Sequence, residues 1–356
     1  MDDYINYEGG NSMAKILTFF NHKGGVGKTT LAYNVAWGLS TAGKHVLMID
    51  ADPQCNLTEI TVDDNYLYDD EQQVSLEYNP DFFMKNNVYE YFSYYLQPTP
   101  NQQQPEIQLY NKKENLKLLT GSIQFAELEE TISLSIAGIN ALSHVPTSTY
   151  TALHNLGKDY DCVVIDLSPA LSATNQLLLM LSDYFIVPVN PSIFSRQALM
   201  NLNEIFRRWN RNLSSFDVFS RKIKNLPMLL GIVCQNYRPY SKKDEENTKS
   251  SQRFGERMNE LNKYAIDLAT DLNSFGMALT PRDFAAIFLG QSPYRIANIP
   301  DYNQLSVVSE SEKIPVNGLD NKILNKHDIN TEQYRIKVED FKVQCSNIVN
   351  GLLKIL

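Results

Sequence analysis

His22-Lys23-Gly24-Gly25-Val26-Gly27-Lys28-Thr29-Thr30 is the stretch whose reading decides the fold. It follows an apolar β-rich run at residues 16–20 and opens a segment whose apolar residues Ala32, Val35, Ala36 and Leu39 recur at helical spacing. Glycines here remove Cβ atoms and permit torsions barred to other residues, so that consecutive amide N–H groups can turn inward around phosphate oxygens. A helix starting near Lys28 adds the positive end of its dipole to that nest. Lys28 is then placed to bridge β- and γ-phosphates, the Thr29 hydroxyl to ligate Mg2+, and Thr30 to bond an α-phosphate oxygen. Strand, glycine loop and helix in this order predict a P-loop that takes ATP and Mg2+, with Gly24, Gly25, Val26, Gly27, Lys28, Thr29 and Thr30 forming the cradle.

Working outward, further β-rich apolar runs lie at residues 45–49, 162–165, 184–189 and 228–234, and residues 294–299 make a sixth candidate strand. Amphipathic stretches separate them, as in the spacing of Leu199, Leu202, Ile205, Phe206 and Trp209. Apolar strands alternating with such helices imply right-handed crossovers and an α/β, doubly wound, mostly parallel sheet with helices on both faces. From Thr331 onward the chain reads as one helix, with Tyr334, Val338, Phe341, Ile348 and Leu352 toward the core. Residues 14–356 are expected to form a single domain, and residues 1–13 a poorly ordered extension. The stretch 63–110 breaks the rhythm with acids (Asp69-Asp70-Glu71), aromatics (Tyr89, Tyr91, Phe92, Tyr94, Tyr95) and a Pro/Gln run at 97–105. It is read as an inserted helix and a mobile loop, the aromatics being that helix's packing face.

Two more acidic segments complete a candidate site. Met48-Ile49-Asp50-Ala51-Asp52-Pro53-Gln54 puts two acids at the carboxyl end of a strand, where open α/β sheets bind ligands, and alternation sends both to one side. Asp161-Cys162-Val163-Val164-Ile165-Asp166 has the four-apolar-then-acid form of a Walker B strand, so Asp166 is expected to hold Mg2+ through water.

The loop departs from the ordinary phosphate-binding pattern by its extra lysine, Lys23, and in this it resembles the deviant Walker A motif of ParA/MinD-type ATPases, most nearly the ParA/Soj-like members. The resemblance extends to the D-x-D-P-Q string at Asp50, to Ser168-Pro169-Ala170-Leu171-Ser172, to Leu118-Leu119-Thr120-Gly121-Ser122 with Leu128-Glu129, to Ile186-Val187-Pro188-Val189, and to the segment from Ile299-Pro300 to Lys313-Ile314-Pro315-Val316. It implies that Lys23 reaches across a homodimer to the partner's phosphates, that Asp52 positions the attacking water, and that Asp50 holds the Mg2+ water shell or the P-loop. A cation offered in trans neutralises phosphate charge, so closing such a dimer would stabilise both bound ATP and the transition state. Where the family has T-M-x-D after its next strand, this chain has Gln235-Asn236-Tyr237, and Asn236 becomes the candidate for reading the adenine edge.

Such a switch is implied to hydrolyse ATP slowly until a partner protein stimulates it, and to bind nonspecific DNA in its ATP state for plasmid or chromosome partition or cargo positioning. Overall net charge is −9, which argues against wholesale nucleic-acid binding, yet residues 196–263 carry 14 Lys/Arg against 7 Asp/Glu. Arg196, Arg207, Arg208, Arg211, Lys242, Lys243 and Arg253 are the DNA-binding candidates. An alternative output is an ATP-gated protein-interaction switch, regulatory or defensive, that uses the aromatic insertion and no DNA. A MinD-like membrane association is disfavoured, since residues 347–356 hold one lysine and a packing face. The four cysteines are scattered without a C-x-x-C pair and read as reduced core thiols, which with the lack of any long apolar run suits a cytoplasmic protein; nucleoid association is what the DNA-binding resemblance implies.

Overall fold

A computed structural model describes residues 13–64, 80–97, 105–213, 216, 225–237, 249–302, 304–329 and 331–356. Its strands are β1 (Lys15–Phe19), β2 (Val46–Ala51), β3 (Tyr110–Lys113), β4 (Leu116–Leu119), β5 (Cys162–Leu167), β6 (Tyr184–Val189), β7 (Met228–Tyr237) and β8 (Arg295–Pro300). The helices of the first half are α1 (Lys28–Thr41), α2 (Asn56–Thr61), α3 (Pro80–Lys85), α4 (Val88–Leu96), α5 (Leu128–Ile136), α6 (Val145–Gly157) and α7 (Ala173–Met180). Then follow α8 (Ile193–Leu213), α9 (Lys249–Asn273), α10 (Pro281–Ile287), α11 (Gln304–Ser311), α12 (Asn321–Lys326) and α13 (Glu332–Leu352).

The strands form one sheet in the order β3-β4-β2-β5-β1-β6-β7-β8. All neighbours run parallel except β3 and β4. Every residue of β2 and of β5 is buried, a pattern that a sheet can show only when both faces are covered. Six of the eight strands match the apolar runs in the sequence. The other two, β3 and β4, follow the insertion and were not among the candidate strands: Tyr110-Asn111-Lys112-Lys113 is too polar to signal a strand and owes its conformation to antiparallel pairing with Leu116–Leu119 at the sheet edge.

Within the insertion, α4 behaves as its aromatics suggest. Tyr91 and Phe92 are buried, and the Tyr91 hydroxyl donates to the Ala152 carbonyl of α6 at 2.9 Å. On the other side of the sheet order, Phe20 lies 5.3 Å from Trp209 and 6.1 Å from Phe206, which seats α8 beside the end of β1. The C-terminal α13 buries Val338, Phe341, Ile348 and Leu352. The predicted extension at the N-terminus, the acidic cluster at 69–71 and most of the Pro/Gln run lie outside the described residues.

Candidate functional site

The loop between β1 and α1 is built from backbone. Gly25 and Gly27 both take left-handed torsions, φ +69° and +76°, and Gly27 caps α1 with no side-chain acceptor for the helix's first N–H groups. Those groups are left directed at whatever occupies the space before the helix. Side chains from neighbouring strand ends hold the loop in place. Asn21 Nδ2 donates to the Pro188 carbonyl at 2.8 Å, and its Oδ1 accepts the Lys23 amide at 2.9 Å. A Cβ on Gly27 would come within 3.3 Å of the buried Gln235 side chain at the end of β7. Before the loop opens a cavity of about 440 Å3, lined by residues 25–30 together with Asp52, Asn56, Glu59, Glu310 and Lys313.

Beside the loop, Lys28 meets the charges of Asp166 and Asp52, and Asp50 lies next to Asp166 across the sheet. Lys28 is almost fully buried; burial lowers its pKa, while Asp166 and Asp52 act to raise it. Asp166, at the end of β5 and paired in register with Asp50 of β2, has no exposed surface. Burial first, and then the Asp50 charge, push its pKa up to about 8, opposed by the Thr29 hydroxyl and the Lys28 ammonium. Thr29 is close enough to favour the charged form, yet neither oxygen of Asp166 has a partner in ordinary hydrogen-bond geometry among the described residues. A buried carboxylate without partners costs stability unless a cation or donor reaches it. A hydroxyl and an acid at this spot are hard oxygen donors of the kind that Mg2+ takes, so the residues fit that ion.

Asp50 differs. Its Oδ2 accepts both the Thr58 amide (2.8 Å) and the Thr58 hydroxyl (2.7 Å), its Oδ1 accepts the Asp52 amide (3.3 Å), and burial raises its pKa to about 6. Expected to hold the Mg2+ water shell or the P-loop, Asp50 lies in register with Asp166, and its hydrogen bonds hold α2 and the Asp52 segment. Asp52 is 4% exposed, accepts the Gln54 amide at 3.0 Å and lines the cavity, as a water-positioning acid must.

Thr58 and Gly121 carry no signal in the sequence that ties them to Asp50. Gly121 sits so close that a Cβ there would lie 2.9 Å from the Asp50 carboxyl carbon, and its amide donates to the Thr58 hydroxyl at 2.8 Å. Glu129 is a third residue whose role only packing reveals. Its carboxylate accepts the amides of Ala173 (2.6 Å) and Thr174 (2.9 Å), tying the start of α7, and with it the loop after Asp166, to α5.

The remaining candidates are placed less uniformly. Lys23 Nζ lies 3.2 Å from the Ser192 hydroxyl, on the loop after β6. Asn236 is exposed, with φ +55°, and leans on Asn190, whose own amide reaches the Gly25 carbonyl at 3.3 Å. Arg207, Arg208 and Arg211 are exposed on α8. Arg207 is engaged locally, with Asp271 at 3.8 Å, Asn203 at 3.2 Å and the Phe275 ring at 5.6 Å. Arg196 and Arg253 lie in α8 and α9 but their side chains, like all of Lys242 and Lys243, fall outside what is described.

Fold and site together define a P-loop nucleotide-binding protein with a parallel α/β sheet. A family model described as an AAA domain matches residues 14–216, more than half of the chain, and the chain belongs to that family, of the ParA/MinD type. It is similar to a virulence plasmid ParA family protein of Chlamydia psittaci, 28% identical over 206 residues, or 56% of this chain and 66% of the other. Another relative is the sporulation initiation inhibitor protein Soj of Bacillus subtilis, 28% identical over 222 residues, 57% of this chain and 69% of that one. Two further relatives are spanned over 60% and 56% of their length, so the chain covers less than two thirds of several proteins it matches. In fold, it resembles Cyanothece McdA solved as an ATP complex, with TM-score 0.59, 17% identity, and 95% and 97% of the two chains covered. Among the described residues no helix is long and apolar enough to cross a membrane.

Proposed function

We propose that the chain is a Mg-ATP-dependent ATPase switch that closes into a face-to-face homodimer around its nucleotide and binds DNA without sequence preference in that state, serving partition or cargo positioning. The observation that carries the ATP reading is Asp166: a fully buried acid with two unpartnered oxygens, set beside Thr29 and Lys28 at the mouth of an uncapped helix. In this reading Thr29 and Asp166 would hold Mg2+, which would supply charge neutralisation at the phosphates when bound. Backbone amides of residues 24–30 cradle the β-phosphate, and Lys28 lies along the β- and γ-phosphates. Asp52 accepts a hydrogen bond from the attacking water and orients it in line. Lys23, held in one protomer near Ser192, swings to the partner's phosphates on dimer closure. A partner protein sets the rate of hydrolysis. The DNA step draws support from the exposed arginines of α8 and from the ParA names of the relatives.

The test is fluorescence anisotropy of a random-sequence duplex at physiological salt, with Mg-ATP, with ADP, and with Lys28→Ala in ATP. Salt-sensitive binding in ATP alone is expected; binding that ignores nucleotide would sink the switch. A second reading, an ATP-gated switch acting on a protein partner, is favoured by one observation. Beside the α8 arginines lies a groove of about 580 Å3 lined by Glu204, Asp267 and Asp271, acids that repel phosphate and engage Arg207. Light scattering that shows an ATP dimer while no nucleotide state binds DNA would select this second reading.

A further inference from the structure

Lys313 is a second cavity-lining cation that the P-loop reading leaves without a task. It stands on a segment 254 residues away in sequence from the α2 residue it touches. Its backbone is held firmly. The torsion φ is +53°, the Tyr33 hydroxyl of α1 donates to its carbonyl at 2.6 Å, and the turn beneath is closed by Ile314 N to Ser309 O at 3.1 Å and Ser309 Oγ to Ile314 O at 2.6 Å. Tyr33 belongs to the helix that Lys28 opens, so the Lys313 backbone is registered to the phosphate loop itself.

Only the side chain is loosely committed. Its Nζ donates to the Glu59 carbonyl at 3.0 Å and pairs with Asp64 at 2.9 Å; the lysine side chain is 13% exposed and the aspartate 60%. Asp64 is presented by a fixed neighbour, since Asp63 accepts from the Tyr110 hydroxyl and from Lys112, both at 2.8 Å. A partly buried ammonium on the wall of an anion-binding cavity, held by a well-solvated carboxylate, is poised for exchange. The solvated pair is weak, and a polyanion entering the cavity offers the same ammonium a stronger acceptor.

We propose that Lys313 is a phosphate-binding cation of this cavity and that Asp64 competes with the ligand for it, so that ligand entry exchanges the Asp64–Lys313 pair for a Lys313–phosphoryl contact. The inference rests on the nucleotide reading above and extends it to a lining residue outside the loop. Because Asp64 is the competitor, its neutralisation should tighten binding. Loss of Lys313 should weaken binding and make Asp64 irrelevant.

The experiment uses the full chain, a fluorescent N-methylanthraniloyl ATP with Mg2+, and inorganic tripolyphosphate as its competitor. Asp64→Asn is expected to tighten both ligands roughly two- to fivefold, the range of a solvent-exposed pair. Lys313→Met should weaken both by more than that, Lys313→Arg should recover part of the loss, and Asp64→Asn added to Lys313→Met should change nothing further. Melting curves of each variant without ligand separate this from misfolding, because Asp64→Asn removes a native ion pair and so should not raise the melting temperature while it raises affinity. Wild-type affinity in Asp64→Asn, or equal additive effects in the double variant, overturns the proposal while leaving nucleotide binding intact. No binding by the wild-type chain overturns both.

Discussion

The cavity before α1 and the basic face of α8 both concentrate charge, but they hold it in opposite ways. In and behind the cavity, Lys28, Asp52 and Asp166 are buried, and their positions follow from strand ends and a glycine loop. On α8 the arginines are exposed, and one of them is already engaged by Asp271 and Phe275. Burial makes each charge in the first region costly, so its presence needs a ligand to explain it. Exposure makes each charge in the second cheap, so its presence explains little by itself. The cavity therefore points to a ligand by its buried charges, whereas the surface charges of α8 point to none without a binding measurement.

The largest effect that could break this contrast is loss of Lys28. Lys28→Ala should weaken Mg-ATP binding by about a hundredfold or more in a calorimetric titration, since a charge-assisted contact to phosphate is lost in a buried setting. A change under threefold would place the phosphate elsewhere. Asp166→Asn comes next, through stability as well as function. An unfolded Asp titrates near 4, whereas in the fold Asp166 titrates at about 8, so between those values the unfolded chain releases a proton that the folded chain retains. Stability without ligand should thus fall as pH rises from 5 to 8. The Asn variant should flatten that fall, gain about 1–3 kcal/mol at pH 8, and lose the Mg2+-dependent rise in melting temperature. Equal slopes in the two proteins would show that the acid is not stranded. Asp50, displaced to about 6 by burial, adds a smaller loss of the same sign that ends by pH 6–7.

Smaller effects test the surface. Arg208→Ala with Arg211→Ala should weaken ATP-dependent DNA binding roughly tenfold and lower the salt slope by about two, one for each phosphate contact. An unchanged slope would remove α8 from the DNA footprint. Arg207→Ala alone should cost less than about threefold, because its guanidinium is shared with Asp271 and Asn203. A larger loss would mean that the local contacts give way to DNA.

Much of this was legible before any coordinates. Residues 22–30 are contiguous, and an apolar run before them with helical spacing after them leaves one arrangement for the glycines. Asp52 and Asp166 were found because each ends a strand of apolar residues. Legibility failed where a residue's partner is remote. Thr58 and Gly121 look ordinary, yet one holds Asp50 and the other lies against it. Asp50 reads as a metal-shell or loop residue, and nothing along the chain announces the Thr58 contacts on its carboxylate. At the sheet edge, β3 carries no apolar alternation and exists through its pairing with β4.

By itself, then, the sequence determined the P-loop and the order of the strands that bear acids, because these depend on torsions and periodicities that neighbours along the chain set, and its motif strings carried the resemblance to the ParA/MinD type. Tertiary structure alone decided which carboxylate is stranded and which is satisfied, which arginine is engaged, and that Lys313 meets Asp64 on the cavity wall. Desolvation and pairing are properties of space rather than of spacing, and only folding brings the two partners of each contact within reach.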